Sequence, residues 1–150
     1  MTRRDMREHC FKMLFALDFY PAEETASQAE TYFDSPEEDD TAQDGTVEVI
    51  HRVEMDGQDR QFLLDRVEHM AAKIPELDGE LDEAAYGWKT RRMGRVELTI
   101  LRQALYEMKY DSEVPEKVAV NEAVNLAKKY GGKDSPAFIN GVLAKFVKAE

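Results

Sequence analysis

The feature that most constrains the fold of this chain is the segment TRRMGRVELTILRQALYEMKY, residues 90–110. Its apolar residues recur at the three- and four-residue spacing of an α-helix, and further apolar residues lie beside that stripe. A stripe of this width predicts a central helix that is buried on most of its sides. Such burial requires other helices around it, and residues 2–20, 59–74 and 116–146 show the same helical periodicity.

The whole pattern predicts an all-α protein of about seven helices. Pro75 is expected to end the helix over residues 59–74, because proline removes a backbone N–H and clashes inside a helix. The following segment, ELDGELDEAAYGW, is then expected to form a separate short helix that ends near Gly87. Thr2 and Ser135 are predicted to cap helix N-termini with their hydroxyl groups.

The segment DSPEEDDTAQDGT, residues 34–46, is acidic and polar, and a proline and a glycine interrupt it. This composition cannot bury a core and predicts a mobile loop. The next segment, VEVIHRVEMD, begins with a strand-like alternation, but a lone short strand would have no partner, so a weak helix or an extended linker is expected. We interpret residues 34–60 as an acidic, variable insertion within a single domain that comprises residues 1–150.

The composition predicts a cytoplasmic protein. Cys10 is the only cysteine, so no disulfide can form within the chain, as is usual in a reducing compartment. No stretch approaches the roughly 20 consecutive apolar residues of a membrane span. The basic residues at the N-terminus are not followed by an apolar run, which argues against a secretory signal peptide.

The net charge of −11 is distributed unevenly along the chain. Residues 1–20 carry four Lys or Arg and three Asp or Glu, and residues 87–150 carry twelve and eight, so both ends are mildly basic. Residues 21–86 carry four and twenty, which gives the middle a net charge of −16. Long-range attraction of nucleic acid would be poor for such a protein, but a local basic face could still bind phosphate groups.

The sequence contains no arrangement of residues that predicts catalysis. His9 and Cys10 are adjacent in a predicted helix, where their side chains point about 100° apart, and a nucleophile and its base need to lie within hydrogen-bond reach. There is no glycine-rich phosphate-binding loop, and the histidines and the cysteine lack the spacing of a zinc site. We therefore expect a protein that is not an enzyme and that requires no metal or cofactor.

One candidate for RNA contact is a face of the first predicted helix. Arg4, Arg7, Phe11 and Phe15 share this face, where guanidinium groups can grip phosphates and aromatic rings can stack on unpaired bases. The alternative is that the rings belong to the core and that the arginines are merely solvated. The spacing alone favours this alternative, because most charge clusters are only surface.

A second basic group, Arg91, Arg92 and Arg95, is predicted to lie within one turn at the start of the central helix. It could extend a phosphate-binding surface, and a solvated helix start explains it equally well. Basic side chains at a helix N-terminus oppose the helix dipole, which mildly favours an external anionic partner.

Three segments carry a similarity to a known protein family. They are RRDMREHCFKMLF at residues 3–15, ILRQALYEM at residues 100–108, and VPEKVAVNEAVNLAKKYGGKDSPAFINGVL at residues 114–143. Together they resemble the NusB family of transcription antitermination factors. The similarity covers the N-terminal helix and nearly all of residues 88–146, whereas residues 34–60 match nothing in it.

The resemblance implies an all-helical fold of two small helical subdomains and an RNA-binding function. Proteins of this family pair with NusE, a ribosomal protein of the small subunit, and the pair is expected to bind the boxA element of ribosomal RNA transcripts. The RNA polymerase antitermination complex then reads through terminators. The same fold also occurs as an N-terminal domain of some ribosomal RNA methyltransferases, and because this chain ends at Glu150 the free-standing factor is expected.

Other interpretations stay open. The chain could be a protein-only interaction module that has lost RNA binding, or a regulatory domain that works with an RNA-modifying enzyme. The net charge of −11 and Asp5, which interrupts the basic start of the chain, motivate the first of these. The sequence also leaves open a homodimer that pairs through an empty partner surface.

The resemblance also implies specific RNA-binding residues. It assigns phosphate contacts to the arginine-rich start of the chain and an RNA-facing ring to Phe15. It places Asp134 and Phe138 near the RNA, where an acceptor and a ring can read base edges, and nearby lysines can add phosphate contacts. The predicted RNA-binding residues are Arg3, Arg4, Arg7, Phe15, Arg91, Arg92, Arg95, Lys128, Lys129, Asp134 and Phe138.

Asn140 and Gly141 lie inside the last predicted helix, although neither residue favours helix formation. For Asn140 we expect a structural role, a hydrogen bond to a turn in the neighbouring helix pair. For Gly141 we expect either a close helix crossing or a backbone that RNA approaches.

Overall fold

α-Helices account for most of the structure. The computed structural model describes residues 2–34, 36–38, 49–52, 55–84 and 89–148. Within these residues there are six α-helices, three short 3₁₀ turns and two short strands, so the all-α class is confirmed with one helix fewer than expected. The helices are α1 (Arg3–Leu17), α2 (Thr25–Thr31), α3 (Gly57–Ala84), α4 (Arg95–Tyr110), α5 (Glu116–Tyr130) and α6 (Ser135–Ala144), and the strands are β1 (Pro36–Glu38) and β2 (Val49–Arg52).

The chain divides into two compact units, residues 1–68 and residues 69–150. The first unit contains α1, α2, the two strands and the start of α3. The second unit contains the rest of α3 and the helices α4 to α6.

α1 begins where the sequence predicts. Oγ1 of Thr2 accepts a hydrogen bond from the backbone N–H of Asp5 at 3.0 Å, and the Asp5 carboxylate accepts from the backbone N–H of Thr2 at 3.3 Å. This reciprocal pair is a capping box, which satisfies backbone donors that a helix start leaves without a partner inside the helix. The buried face of α1 consists of Cys10, Phe11, Met13, Leu14 and Leu17.

The segment VIHR forms a strand, and the expectation of a weak helix or linker is wrong there. β2 pairs with β1 in an antiparallel hairpin that places Glu37 opposite His51. The partner strand comes from the acidic segment for which we expect a loop, so a composition that cannot build a core can still supply a ladder of backbone hydrogen bonds. The rest of the expected loop, apart from Asp34, lies outside the described residues.

Pro75 does not end a helix. α3 continues through it for 28 residues in total, so the two helices expected over residues 59–74 and 76–88 are one. Its apolar stripe runs past the proline to Leu77 and Leu81, which are both fully buried. Burying each leucine contributes about 1.5–3 kcal/mol, which offsets the roughly 3 kcal/mol that an interior proline costs a helix.

α4 is the central helix of the second unit, as the width of its apolar stripe predicts. All ten residues from Leu98 to Glu107 are buried, which requires contacts on every side of the helix. α5 and α6 pack against α4 and against each other. The buried Arg102 donates from Nε and from a terminal guanidinium nitrogen to the two carboxylate oxygens of Asp78, at 2.8 and 2.7 Å. This paired contact supplies the charge partner that a buried arginine needs.

Ser135 is not the N-cap of α6, contrary to expectation. It is the first residue of the helix and is buried, and Asp134 occupies the capping position without a side-chain hydrogen bond. The Ser135 hydroxyl instead accepts from the backbone N–H of Gly132 at 3.0 Å and donates to the carboxylate of Glu97. Its role is therefore to join the starts of α4 and α6.

Candidate nucleic-acid interface

The first turns of α1 carry a dense group of arginines. Arg3 and Arg4 are exposed and Arg7 is half-buried. Spacings of three and four residues put Arg7 next to both of the others on the helix surface. Basic side chains at a helix N-terminus oppose the positive end of the helix dipole. A bound anion would therefore relieve an unfavourable arrangement of charge at this end of α1.

Asp5 lies among these arginines for a structural reason. Its carboxylate completes the capping box with Thr2. Hydrogen bonds from the side chain and the backbone of Thr2 hold the pKa of Asp5 below its usual value. The residue that interrupts the basic start of the chain therefore helps the helix to form, and its carboxylate is already engaged there.

Phe11 and Phe15 have different environments. Phe11 is 4% exposed and belongs to the core, which is the alternative that the spacing favours. Phe15, one turn further along, is half-buried, so part of its ring reaches the surface. Its ring centroid lies 6.3 Å from that of Phe11 and 5.5 Å from that of Phe19. α1 therefore presents a partly accessible ring at the predicted position.

Two exposed aromatic residues follow Phe15 and are absent from the predicted set. Phe19 is 58% exposed and Tyr20 is 47% exposed. Phe19 continues the four-residue spacing of Phe11 and Phe15, so the sequence does carry a signal for it. The spacing alone could not show that this ring stays at the surface, because Leu17 at the same end of the helix is buried.

The prediction that Arg91, Arg92 and Arg95 share one helical turn is wrong. The first two lie in a 3₁₀ turn, Thr90–Arg92, and the third is the first residue of α4. The two residues between them have extended backbones, with ψ angles of 146° and 149°, and separate the turn from the helix. All three arginines are exposed, but they belong to two elements of the second unit.

Lys128, Lys129 and Asp134 lie around the connection between α5 and α6. All three are exposed, and Phe138 in the first turn of α6 is half-buried. The Nζ atom of Lys129 lies 5.4 Å from the centroid of the Tyr130 ring. Both lysines stand in the last turn of α5, where the helix dipole favours cations. The structure thus brings these four predicted residues to one connection, and the lysines also have a local structural explanation.

The contact between Glu97 and Ser135 places the first turn of α4 beside the first turn of α6. Arg95 therefore lies at the same end of the second unit as Asp134. The predicted residues are divided between the two units. We refer to Arg3, Arg4, Arg7 and Phe15 as the α1 surface, and to Arg91, Arg92, Arg95, Lys128, Lys129, Asp134 and Phe138 as the second-unit surface.

Asn140 and Gly141 are both exposed on α6. A Cβ atom built on Gly141 would meet nothing within 4 Å, so a close helix crossing is not the reason for this glycine. The described packing therefore does not require the glycine.

Asn140 lines an open groove of about 570 Å³ between α5 and α6, together with apolar side chains such as Val120 and Val124.

A network of polar contacts joins α3 to the end of α4. The Nζ atom of Lys109 lies 3.0 Å from the Glu76 carboxylate and 2.5 Å from that of Glu80, and the Tyr110 hydroxyl donates to Glu76. The hydrogen bond from Tyr110, followed by that from Lys109, lowers the pKa of Glu76. Partial burial lowers the pKa of Lys109, but hydrogen bonds to Glu80 and Glu76 outweigh this effect and raise it overall.

None of the helices within the described residues combines the length and the hydropathy that crossing a membrane requires. Within the same ranges, no group of three or more His, Cys, Asp or Glu side chains is arranged to hold a metal ion.

Known proteins are similar to this chain in both sequence and fold. A model of the NusB family matches residues 4–148 of the chain. The transcription antitermination protein NusB of Lachnoclostridium phytofermentans is 42% identical over 147 residues, which cover 98% of this chain and 99% of that protein. The protein of the same name from Agathobacter rectalis is 43% identical over 146 residues, which cover 97% of this chain and 99% of that protein.

A solved structure of NusB from T. maritima has the same fold. The two structures superimpose with a TM-score of 0.76 at 23% sequence identity, over 97% of this chain and 89% of the other. The family model and the two relatives described above extend over almost the whole chain. The chain therefore belongs to the NusB family.

Proposed function

We propose that this chain is a transcription antitermination factor that binds boxA RNA of ribosomal RNA transcripts together with the ribosomal protein NusE. Membership in a family whose relatives are named transcription antitermination proteins supports the antitermination role. The observation that carries RNA binding is the group of arginines at the start of α1, two exposed and one half-buried. The mechanism is non-covalent and operates within the RNA polymerase antitermination complex.

Arginine suits the phosphate-binding part of this mechanism. A guanidinium group makes two parallel hydrogen bonds to a phosphate and keeps its charge at any physiological pH. Each phosphate that the protein neutralises releases counterions, so RNA binding should weaken as salt rises. The exposed Arg91, Arg92 and Arg95 and the lysines at the end of α5 extend the same chemistry to the second unit.

Phe15, Asp134 and Phe138 are the residues for which we propose contacts with bases. Sequence-specific proteins mostly read RNA through unpaired bases, which stack on aromatic rings. Phe15 and Phe138 are half-buried, so the protein holds one part of each ring and leaves another part accessible. The side chain of Asp134 makes no hydrogen bond to its own helix start, so its exposed carboxylate can accept from the amino group of a cytosine.

The acidic character of the middle of the chain suits contact with a basic ribosomal protein. α3 alone carries eight Asp or Glu and three Lys or Arg. Complementary charge across an interface raises the association rate and fixes orientation more than it raises affinity. Because the same acidic helix repels RNA, a basic partner bound there would also strengthen RNA binding, which explains why NusE and boxA should bind together.

The first test is the fluorescence anisotropy of a labelled boxA RNA against a scrambled RNA of the same length. The protein is titrated with and without NusE at several salt concentrations. We expect tighter binding to boxA, a further gain with NusE, and a linear fall of log affinity with log salt. Equal affinity for the boxA RNA and the scrambled RNA in every condition would contradict the proposed function.

A charge-reversal pair assigns the binding to α1. Changing Arg4 and Arg7 together to glutamate should abolish detectable boxA binding, since both lost contacts become repulsive. The matched control changes Lys117 and Lys148 to glutamate, which alters the net charge equally at exposed residues outside α3 and outside both proposed surfaces. Undiminished binding by the first variant, or an equal loss in both, would show that the α1 surface is not the RNA site.

A protein-only interaction module is the second candidate, and the net charge of −11 favours it. In that case NusE would bind with an affinity that does not depend on RNA. The titration separates the two candidates, because only the antitermination factor discriminates boxA from its scrambled control.

A further inference from the structure

Phe19 is a large apolar side chain that the first unit leaves 58% exposed. Single exposed apolar residues are common on protein surfaces and need no explanation by themselves. The position of Phe19 distinguishes it, because it ends a series of residues spaced four apart along the chain. This series, which we refer to as the α1 stripe, consists of Arg3, Arg7, Phe11, Phe15 and Phe19.

The three rings of the α1 stripe emerge progressively from the core. Within α1 a step of four residues overshoots a full helical turn by about 40°, and Phe19 lies in the turn that follows the last helical residue, Leu17. Phe11 is 4% exposed, Phe15 is half-buried and Phe19 is 58% exposed. The stripe therefore passes from basic side chains at the start of the helix to an accessible aromatic surface at its end.

The rings of Phe15 and Phe19 hold each other in a defined geometry. Their centroids are 5.5 Å apart and their planes are 71° apart, which is an edge-to-face contact. Edge-to-face contacts between aromatic rings are favourable beyond the apolar area that they bury. A ring that is already oriented loses less conformational freedom when it binds a ligand. The pair thus presents two oriented rings instead of one at the end of the α1 surface.

We infer that Phe19 stacks on an unpaired base of the bound RNA, next to the nucleotide that contacts Phe15. The inference rests on the proposed RNA-binding function and adds a residue to its α1 surface. Between Arg3 and Phe15 the helix rises about 18 Å, so a single strand along the stripe meets arginines at one end and the two rings at the other. Because every base has a π-face, Phe19 contributes affinity without selecting a base.

Three variants test whether the aromatic ring of Phe19 binds RNA. Phe19→Leu keeps an apolar side chain but removes the π-face, and we expect it to weaken boxA binding about 5- to 100-fold in the anisotropy titration. Phe19→Trp keeps an aromatic surface and should bind as tightly as the wild type. Phe62→Leu is the matched control, since Phe62 is another phenylalanine of the first unit and is 48% exposed. It should leave the affinity unchanged.

An abasic scan of the RNA identifies the contact. Single abasic nucleotides are placed along boxA, and each RNA is titrated against the wild type and Phe19→Leu. We expect one position at which the missing base weakens binding to the wild type but not to the variant, because the two changes remove the same stacking contact. Additive losses at every position would overturn the inference.

The outcomes also distinguish a failure of this inference from a failure of the proposed RNA-binding function on which it rests. If the wild type does not bind boxA at all, both the proposed function and the inference about Phe19 are overturned. If binding depends on Arg4 and Arg7 but is the same for Phe19→Leu and the wild type, the proposed function stands and the inference is overturned. Thermal unfolding followed by circular dichroism shows whether each variant is folded, and Phe19→Trp supplies a folded comparison if Phe19→Leu is destabilised.

Discussion

The hydroxyl group of Ser135, at the first residue of α6, donates a hydrogen bond to the carboxylate of Glu97 in the first turn of α4. The same oxygen accepts from the backbone N–H of Gly132 at 3.0 Å. Ser135 is 6% exposed, so one side chain uses its donor and its acceptor in a place that water hardly reaches. It thereby fixes the position of the loop that carries Asp134 relative to the start of α4.

Replacing Ser135 with alanine should destabilise the protein. The change leaves the Glu97 carboxylate and the Gly132 N–H without this partner, and we expect a loss of about 1–3 kcal/mol in the free energy of unfolding. Urea denaturation followed by circular dichroism measures it. Ser112→Ala is the control, because Ser112 is exposed in the turn after α4 and should change stability by less than about 0.5 kcal/mol. Equal stability of the two variants would contradict this role.

The double role of Ser135 also shows why the sequence predicts some features and misses others. Ser-Pro at a helix start is a local signal for a cap, whereas the partner Glu97 is 38 residues away and no local pattern reveals it. α4 and α5 are predicted well because their apolar periodicity is a property of the segment itself. Contacts between distant segments depend on how the whole chain packs, and no local pattern in a single sequence reveals them.

Packing also overrides local rules in the middle of the chain. Proline is a reliable local sign of a helix end, yet α3 continues through Pro75 because leucines beyond it are fully buried. The hairpin of β1 and β2 escapes prediction since its strands are short and ten residues separate them. Among the candidate site residues, exposure of the arginines follows from their chemistry. The exposure of Phe19 could be seen only in the structure.

Breaking the ion pair between Arg102 and Asp78 should strongly destabilise the protein. The Arg102 side chain is 7% exposed and makes two hydrogen bonds to Asp78, whose side chain is 23% exposed. Asp78→Ala removes both of these hydrogen bonds and the paired carboxylate from a buried arginine, which should cost about 3–5 kcal/mol in the free energy of unfolding.

A double variant distinguishes the charge effect from a packing effect. Asp78→Leu combined with Arg102→Met replaces both charges by apolar groups, and such replacements are often neutral or stabilising. We expect it to be clearly more stable than Asp78→Ala when both are unfolded in urea. If the double variant is as unstable as the single one, the ion pair is not the source of the loss.

Two glycines should respond oppositely to the same substitution. A Cβ atom on Gly131 would lie 2.6 Å from Cβ of Ser135 and 2.8 Å from the carbonyl oxygen of Ala127, whereas one on Gly141 would meet nothing within 4 Å. Gly131→Ala should therefore destabilise the protein by about 1–3 kcal/mol. Gly141→Ala should stabilise it by about 0.5–1 kcal/mol, since alanine favours the helix interior. The midpoints of urea unfolding measure both, and a change of the same sign in the two variants would contradict the described packing.

The hydrogen bond from Tyr110 to Glu76 should make stability depend on pH in the acidic range. It is the main cause that holds the pKa of Glu76 below its usual value of 4.5. A carboxyl group whose pKa is lower in the folded state stabilises that state fully above the unfolded pKa, and this contribution is lost as pH falls through the folded pKa. Tyr110→Phe removes the hydrogen bond, so the pKa of Glu76 should rise toward 4.5, with the Lys109 contact retaining part of the shift.

An NMR titration of the Glu76 side-chain carboxyl carbon measures this pKa in the wild type and in Tyr110→Phe. Tyr20→Phe is the control, because Tyr20 is exposed and is not one of the groups that shift the pKa of Glu76, and it should leave that pKa unchanged. The loss of stability between pH 7 and pH 3 should also be smaller in Tyr110→Phe than in the wild type, since less pH-dependent stabilisation remains to be lost. A Glu76 pKa that is the same in Tyr110→Phe and the wild type would show that this hydrogen bond does not hold the carboxylate in its charged form.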